Sequence, residues 1–154
     1  MVLDCGACNL CCKLLGVPDI NKPARMLCWW TGIHGGCERH HEKQTDPLLM
    51  ACAQFKCLWL ESQTHPDQTK HMPRHLRPDL SHVVIGPVDR DDDTLAYVQV
   101  DPEFPQSLHN PEIKNYLDGI ISRGGKLEII LGDDIRIEYK VEGGSKIRVG
   151  ISNV

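Results

Sequence analysis

Four thiols fall within nine residues in the stretch CGACNLCCK: Cys5, Cys8, Cys11 and Cys12. Cys28, Cys37, Cys52 and Cys57 complete the set of eight, and no cysteine follows Cys57. Thiols at this density suit three chemistries: a disulfide staple, a redox thiol pair, or a metal. Tetrahedral zinc accepts four thiolates at about 2.3 Å, and a C-x-x-C turn aims two sulfurs at one point. The spacing occurs twice in overlap, as Cys5–Cys8 and Cys8–Cys11. Cys11 and Cys12 are neighbours, and consecutive side chains diverge in a strand and in a helix alike. The pattern therefore predicts two sites, or one site and a spare thiol. An iron–sulfur cluster also takes four thiolates and is the alternative cofactor.

The competing chemistries have less behind them. The opening MVLDCGACNL has no basic start and no apolar stretch of the kind a secretory leader carries, so the expectation is a cytoplasmic protein. A reducing cytosol disfavours structural disulfides. A redox C-x-x-C would follow a strand in a βαβ context, and no convincing strand precedes Cys5. HGGCERHH brings Cys37 near His34, His40 and His41 in sequence, but supplies no orienting group for a nucleophile. These histidines read as surface loop residues, with His34 and His40 the best substitutes should one cysteine not be a ligand. A metal hydrolase needs an open coordination position and a general base, which a closed four-thiolate site lacks. No catalytic constellation emerges, and the reading is a binding module rather than an enzyme.

Composition narrows the partners. The net charge is −4, the pI is about 6.0 and aromatics are 5%. A nucleic-acid binder that neutralises phosphates shows a basic patch instead, and base stacking has little here to use. No apolar run reaches the roughly 18 residues of a membrane helix. The expected partner is a metal ion, with a protein partner left open.

Elements must then position the thiols. The stretch TDPLLMACAQFKCLWLES predicts one main helix, with Asp46 as cap, Pro47 in the first turn, and Leu48, Cys52, Phe55 and Trp59 on one face. Cys57 would lie well round that helix from Cys52, so the two share a metal only if the helix unwinds between them. SQTHPDQTKHMPRHLRPD is polar and carries three prolines, which predicts a loop. Beyond it the chain changes character. SHVVIG and TLAYVQV read as strands about a turn at DRDDD, whose aspartates lack the glycine and distal glutamate of a calcium loop. NPEIKNYLDGIISRGG reads as a helix capped by Asn110 and stopped by Gly124, with Ile113, Leu117, Ile120 and Ile121 buried. KLEIIL and DIRIEYKV alternate about a GDD turn as a hairpin, with Leu127, Ile129 and Leu131 facing one way and Ile135, Ile137, Tyr139 and Val141 opposite. SKIRVGI, after EGGS, reads as an edge strand.

The expectation is an α+β protein. A cysteine-rich region (1–61) with one main helix is stabilised by metal, a loop or linker (62–81) follows, and a small, mostly antiparallel sheet covered by one helix (82–154) packs on the first region. A structural zinc site contributes about 10–16 kcal/mol of apparent binding energy, comparable to the roughly 5–15 kcal/mol that holds a whole domain together. Metal can therefore supply the order that the apolar-poor first region lacks.

The run C-x2-C-x2-C-C, then KPARMLCWWTGIHGGC, CAQFKCLWL and RPDLSHVV, resembles the YkgJ-like cysteine-cluster family, from Cys5 to about Ile85. YLDGIISRGGKLEIILGD is similar to the tail that some members carry. The resemblance implies zinc or iron chelation at Cys5, Cys8, Cys11, Cys12, Cys28, Cys37, Cys52 and Cys57, and no established reaction. Two departures stand out. This chain reads CWWT where members carry a second C-x-x-C thiol, and the segment between Cys37 and Cys52 is longer than theirs, with room to contribute a histidine.

Overall fold

The computed structural model describes residues 5–87, 95–131, 135–142 and 145–152; at 87, 95, 135–142 and 145–152 it describes the backbone alone. The turns expected at DRDDD and GDD, most of EGGS, and the facing of Ile135, Ile137, Tyr139 and Val141 lie outside the described residues and side chains.

The second part of the chain builds the frame. Strand β1 (Val83–Pro87) pairs antiparallel with β2 (Leu95–Val100). Helix α5 (Pro111–Ser122) then carries the chain over to β3 (Lys126–Leu131), which runs parallel to β2 with Val98 opposite Ile129. β4 (Ile135–Glu142) and β5 (Ser145–Ser152) continue antiparallel, giving the five-stranded order β1-β2-β3-β4-β5. The α+β class is as expected, and the sheet is mostly antiparallel. The parallel β2–β3 pair is the addition, made possible by a helix long enough to cross between them.

α5 forms where its punctuation dictates. The Asn110 side chain accepts a hydrogen bond from the Glu112 N–H at 2.9 Å, and Pro111 occupies the first helical position, where its missing N–H costs nothing. Ile113, Leu117 and Ile121 are buried, and Ile120 is partly so. Gly124 leaves the helix at φ +87°, a conformation that glycine adopts without strain.

The period-2 alternation of the strands sends their side chains into two different cores. Val83, Ile85, Ala96, Val98, Val100, Leu127 and Ile129 pack under α5, joined by Met72 and Leu76 from the segment before β1. Val84 points the other way, into a cluster with Leu10, Leu14, Cys57 and Leu60 from the cysteine-rich half. On that same face Gln99 Nε2 donates to the Leu14 carbonyl at 3.3 Å, and the Tyr97 ring lies 6.4 Å from that of Phe55. The sheet is thus covered by α5 on one side and by the cysteine half on the other.

The cysteine half has little regular structure. Helix α1 (Leu10–Leu14) comes first, and from there to residue 49 the backbone runs through bends, single bridges and short 3₁₀ turns. The single helix expected from Asp46 onward is corrected. Asp46 does cap, accepting from the Leu48 N–H at 2.9 Å, but it opens a 3₁₀ turn (Pro47–Leu49). α2 (Met50–Gln54) follows, the backbone extends at Phe55, and α3 (Leu58–Ser62) begins anew with Cys57 as its cap. A continuous helix would turn Cys57 away from Cys52 and hold Phe55 off Tyr97. The break lets all of them face inward. Leu48, expected on the buried face, is 51% exposed because the stripe does not survive the break. The segment between α3 and β1 contains two 3₁₀ turns and α4 (Pro78–Ser81). Among the described residues no helix is long and apolar enough to cross a membrane.

Candidate metal centre

Five pieces of chain carry the cysteines to one place. Cys5 and Cys8 form a tight turn closed by the Cys8 N–H on the Cys5 carbonyl at 2.9 Å, with Gly6 at φ +52°. α1 holds Cys11 and Cys12, and its buried Leu10 and Leu14 fix the helix against the sheet, so its rotation is set by packing. The Cys28 N–H donates to the Cys12 carbonyl at 3.1 Å and ties the following loop to α1. That loop turns back on itself through the Thr31–Cys37 bridge and delivers Cys37. α2 supplies Cys52, and Cys57 caps α3, its sulfur accepting from the Leu60 N–H at 3.5 Å.

The tip of the 28–37 loop is Gly35–Gly36, with φ of +81° and +76°. A side chain at Gly35 would meet the Ala7 carbonyl oxygen at 2.4 Å, and one at Gly36 the Gly6 carbonyl oxygen at 2.6 Å. Backbone therefore lies directly on backbone, and this contact sets the distance from Cys37 to the Cys5–Cys8 turn. Alanine at Gly35 combines this clash with a left-handed conformation that costs about 1–2 kcal/mol by itself. Gly35→Ala is expected to weaken metal binding while leaving α5 and its core in place, as read by metal stoichiometry beside amide exchange of β3.

These pieces enclose a cavity of about 430 Å³. All the cysteines except Cys57 line it, together with His40, Lys22, Lys43 and Phe55. Cys8 and Cys57 are buried and the other six are half-buried; none of the eight is joined in a disulfide. Of the three histidines considered from sequence, His40 faces the cavity, whereas His34 and His41 are exposed. Among the described residues no group of three or more Cys, His, Asp or Glu side chains is already arranged to hold a metal ion. The donors fit a soft or borderline metal by kind and by convergence. To hold an ion, they would have to draw inward.

The electrostatics divide the thiols. Burial pushes Cys11 far above its ordinary value of 9.0, and the thiolates of Cys57, Cys5 and Cys8 add more than that of its sequence neighbour Cys12. Burial lifts Cys12 to about 11, with Lys43 opposing and Cys37 and Cys28 as its strongest thiolate neighbours. Cys52, also raised by burial, feels Lys43 first and then Cys28 and Cys37. Cys57, raised by burial, feels Cys5. Cys11 thus leans towards Cys57, Cys5 and Cys8, and Cys12 and Cys52 lean towards Cys28 and Cys37, while Cys11 also feels Cys12 and Cys12 also feels Cys5.

Burial lifts Cys8 to about 12, with the Leu10 N–H opposing and the Asp79 carboxylate adding. A thiol whose folded value exceeds its unfolded one binds its proton more tightly in the fold. The metal-free protein should therefore hold its stability up to about pH 9 and lose it as pH rises towards 12. Melting temperatures of the metal-free protein between pH 7 and 11 check this; a flat profile would contradict it.

Lys22 and Lys43 were not singled out from sequence, and Phe55 was placed only on the apolar face of the expected helix. Lys22 sits in a loop without periodicity, and nothing near it in the chain marks it as facing thiols. Burial lowers its ammonium value, opposed by the thiolates of Cys28, Cys12 and Cys52.

Comparison of the chain with protein-family models, with curated proteins and with solved structures found no match.

Proposed function

We propose that this protein binds two metal ions through its eight cysteines and acts as a metal-structured binding or sequestration module of the YkgJ-like cysteine-cluster kind, with zinc as the expected metal. One ion would be held by Cys5, Cys8, Cys11 and Cys57 and the other by Cys12, Cys28, Cys37 and Cys52. The observation that supports this most is convergence: thiols spread from Cys5 to Cys52, on a turn, two helices and a loop, line one cavity, and Cys57 at the cap of α3 lies close enough to feel Cys5. A chain that used its cysteines as scattered small apolar residues would have no reason to gather them. Binding releases the thiol protons, so affinity should fall as the solution is made more acidic. Elemental analysis and native mass spectrometry of protein purified without added metal test the reading. Two zinc ions and eight reduced thiols are expected; four disulfides and no metal would end it.

An iron–sulfur centre is the second reading, supported by the single shared cavity that all but one of the cysteines line. It would make the purified protein brown with visible absorbance, whereas zinc leaves it colourless.

A further inference from the structure

Among the described residues, one buried side-chain oxygen has no hydrogen-bond partner: Thr31 Oγ1. Buried polar side-chain atoms are mostly paired, so an orphan calls for an explanation. The Thr31 N–H donates to the Cys28 carbonyl at 3.0 Å. This closes a turn as the Cys8 N–H on the Cys5 carbonyl, at 2.9 Å, closes the first one. Thr31 therefore holds the position in its turn that Cys8 holds in the other. A hydroxyl is a poor ligand for a soft or borderline metal, and Thr31 does not line the cavity, so it does not serve as a ligand in its own right.

Across the loop Thr31 is bridged to Cys37. The hydrogen bonds lie on either side of the bridge: the Glu38 N–H donates to the Trp30 carbonyl at 2.8 Å, and the Gly32 N–H to the Gly36 carbonyl at 3.1 Å. That pattern makes Thr31 and Cys37 a non-hydrogen-bonded antiparallel pair. In such a pair the Cα atoms come to about 4.5 Å and the two side chains lie next to each other on one face. Side-chain rotation is enough to bring such neighbours together. Cys37 lines the cavity, so the orphaned hydroxyl stands beside a sulfur of the proposed centre. A neutral thiol accepts a hydrogen bond weakly, whereas a charged acceptor takes one strongly.

We propose that Thr31 is a positioning residue for the metal centre: in the loaded protein its hydroxyl donates to the Cys37 sulfur and holds that thiolate in its place. The inference rests on the reading of Cys37 as a ligand, given above. It supplies the buried hydroxyl with a partner, and it gives the centre an outer-shell hydrogen bond that acts on the metal through the sulfur.

The test compares two variants of the full-length protein: Thr31→Val, which keeps the shape and removes the hydroxyl, and Thr31→Ser, which keeps the hydroxyl. Competition with a chromophoric chelator reads zinc affinity, and native mass spectrometry counts the ions. Thr31→Val should bind one zinc ion about 10–100-fold more weakly, the usual effect of losing an outer-shell partner, while Thr31→Ser stays near wild type. The urea midpoint of zinc-free Thr31→Val should be no lower than that of the wild type, because an unpartnered buried hydroxyl contributes no hydrogen bond to lose. In the zinc-loaded protein, Thr31→Val should make Cys37 react faster with N-ethylmaleimide and leave Cys5 and Cys11 at the wild-type rate. Unaltered affinity in Thr31→Val would overturn the proposal. So would equal losses in Thr31→Val and Thr31→Ser, or a lower urea midpoint of zinc-free Thr31→Val, since either would mean that the side chain only packs the loop. Should Thr31→Val not fold, Thr31→Ala against Thr31→Ser isolates the same oxygen: weaker zinc binding in Thr31→Ala supports the hydrogen bond, and equal binding rejects it. Wild-type protein that takes up no zinc would remove the reading of the centre itself, whereas zinc uptake that the substitutions leave unaltered would remove the Thr31 hydrogen bond alone.

Discussion

Replacing both Cys11 and Cys12 by serine is expected to leave the protein with no tightly bound metal, while each single replacement removes about one ion. The expectation follows from their position. The two lie side by side on α1, whose packing through Leu10 and Leu14 allows little rotation. Cys11 has Cys57, Cys5 and Cys8 as its strongest thiolate neighbours, and Cys12 has Cys37 and Cys28. Serine is close in size and supplies a poor ligand for a soft or borderline metal, so the change acts on coordination more than on packing. Native mass spectrometry of the three variants gives the count directly. Full metal content in either single variant would make that cysteine a spare thiol and undo the division into two sets. In the double variant, protease should cut residues 5–57 readily while amides of β3 stay protected by the core under α5.

Lys13→Met is expected to cost about 3 kcal/mol of stability, a large share of the roughly 5–15 kcal/mol a domain has. Lys13 follows the two cysteines on α1, and its ammonium lies 2.9 Å from both carboxylate oxygens of Asp101, just past the end of β2. Asp101 is 2% exposed and Lys13 is 25% exposed. Glu103 also accepts from Lys13. Burial alone would lower the Lys13 value, but the hydrogen bonds to Glu103 and Asp101 outweigh it and raise it. Removing the cation strands a buried carboxylate, which is the costly half of such a pair. Asp101→Asn in the Lys13→Met background should recover much of the loss. An asparagine keeps an acceptor for the Glu103 N–H, which now donates to Asp101 at 3.1 Å, without the unpaired charge. Urea midpoints of the metal-loaded proteins, taken as a double-mutant cycle, measure the coupling; additive effects would show that the pair is not what joins α1 to the sheet.

The sheet and α5 were legible because their signals are local. Asn110, Pro111 and Gly124 mark the ends of the helix, and alternation marks the strands. The parallel register of β2 and β3 was not legible, since nothing in either strand states which way its partner runs. The cysteine half was illegible in shape, and its chemistry was read as an expectation. The spacing of Cys5, Cys8, Cys11 and Cys12 points to a metal without any helix or strand being known. The helical reading from Asp46 to Ser62 failed at Phe55, where tertiary contacts with Tyr97 override a periodicity that a helical wheel accepts. The burial of Lys22 was invisible for the same reason: it depends on neighbours that are distant in the chain.

The two-sided use of β1 has a consequence for how the chain assembles. Val83 and Ile85 belong to the core under α5, and Val84 belongs to the core beneath the cysteine half. Sliding one strand past its partner by a single residue would exchange these faces. Val84 would then leave the seat that Leu14 and Cys57 need, and Gln99 could no longer reach the Leu14 carbonyl. A mispaired sheet cannot seat α1, and without α1 in place Cys11 and Cys12 have no fixed directions. On the proposed function, metal uptake would proofread strand pairing: only chains paired in register could close the centre, and the captured ion would hold them there.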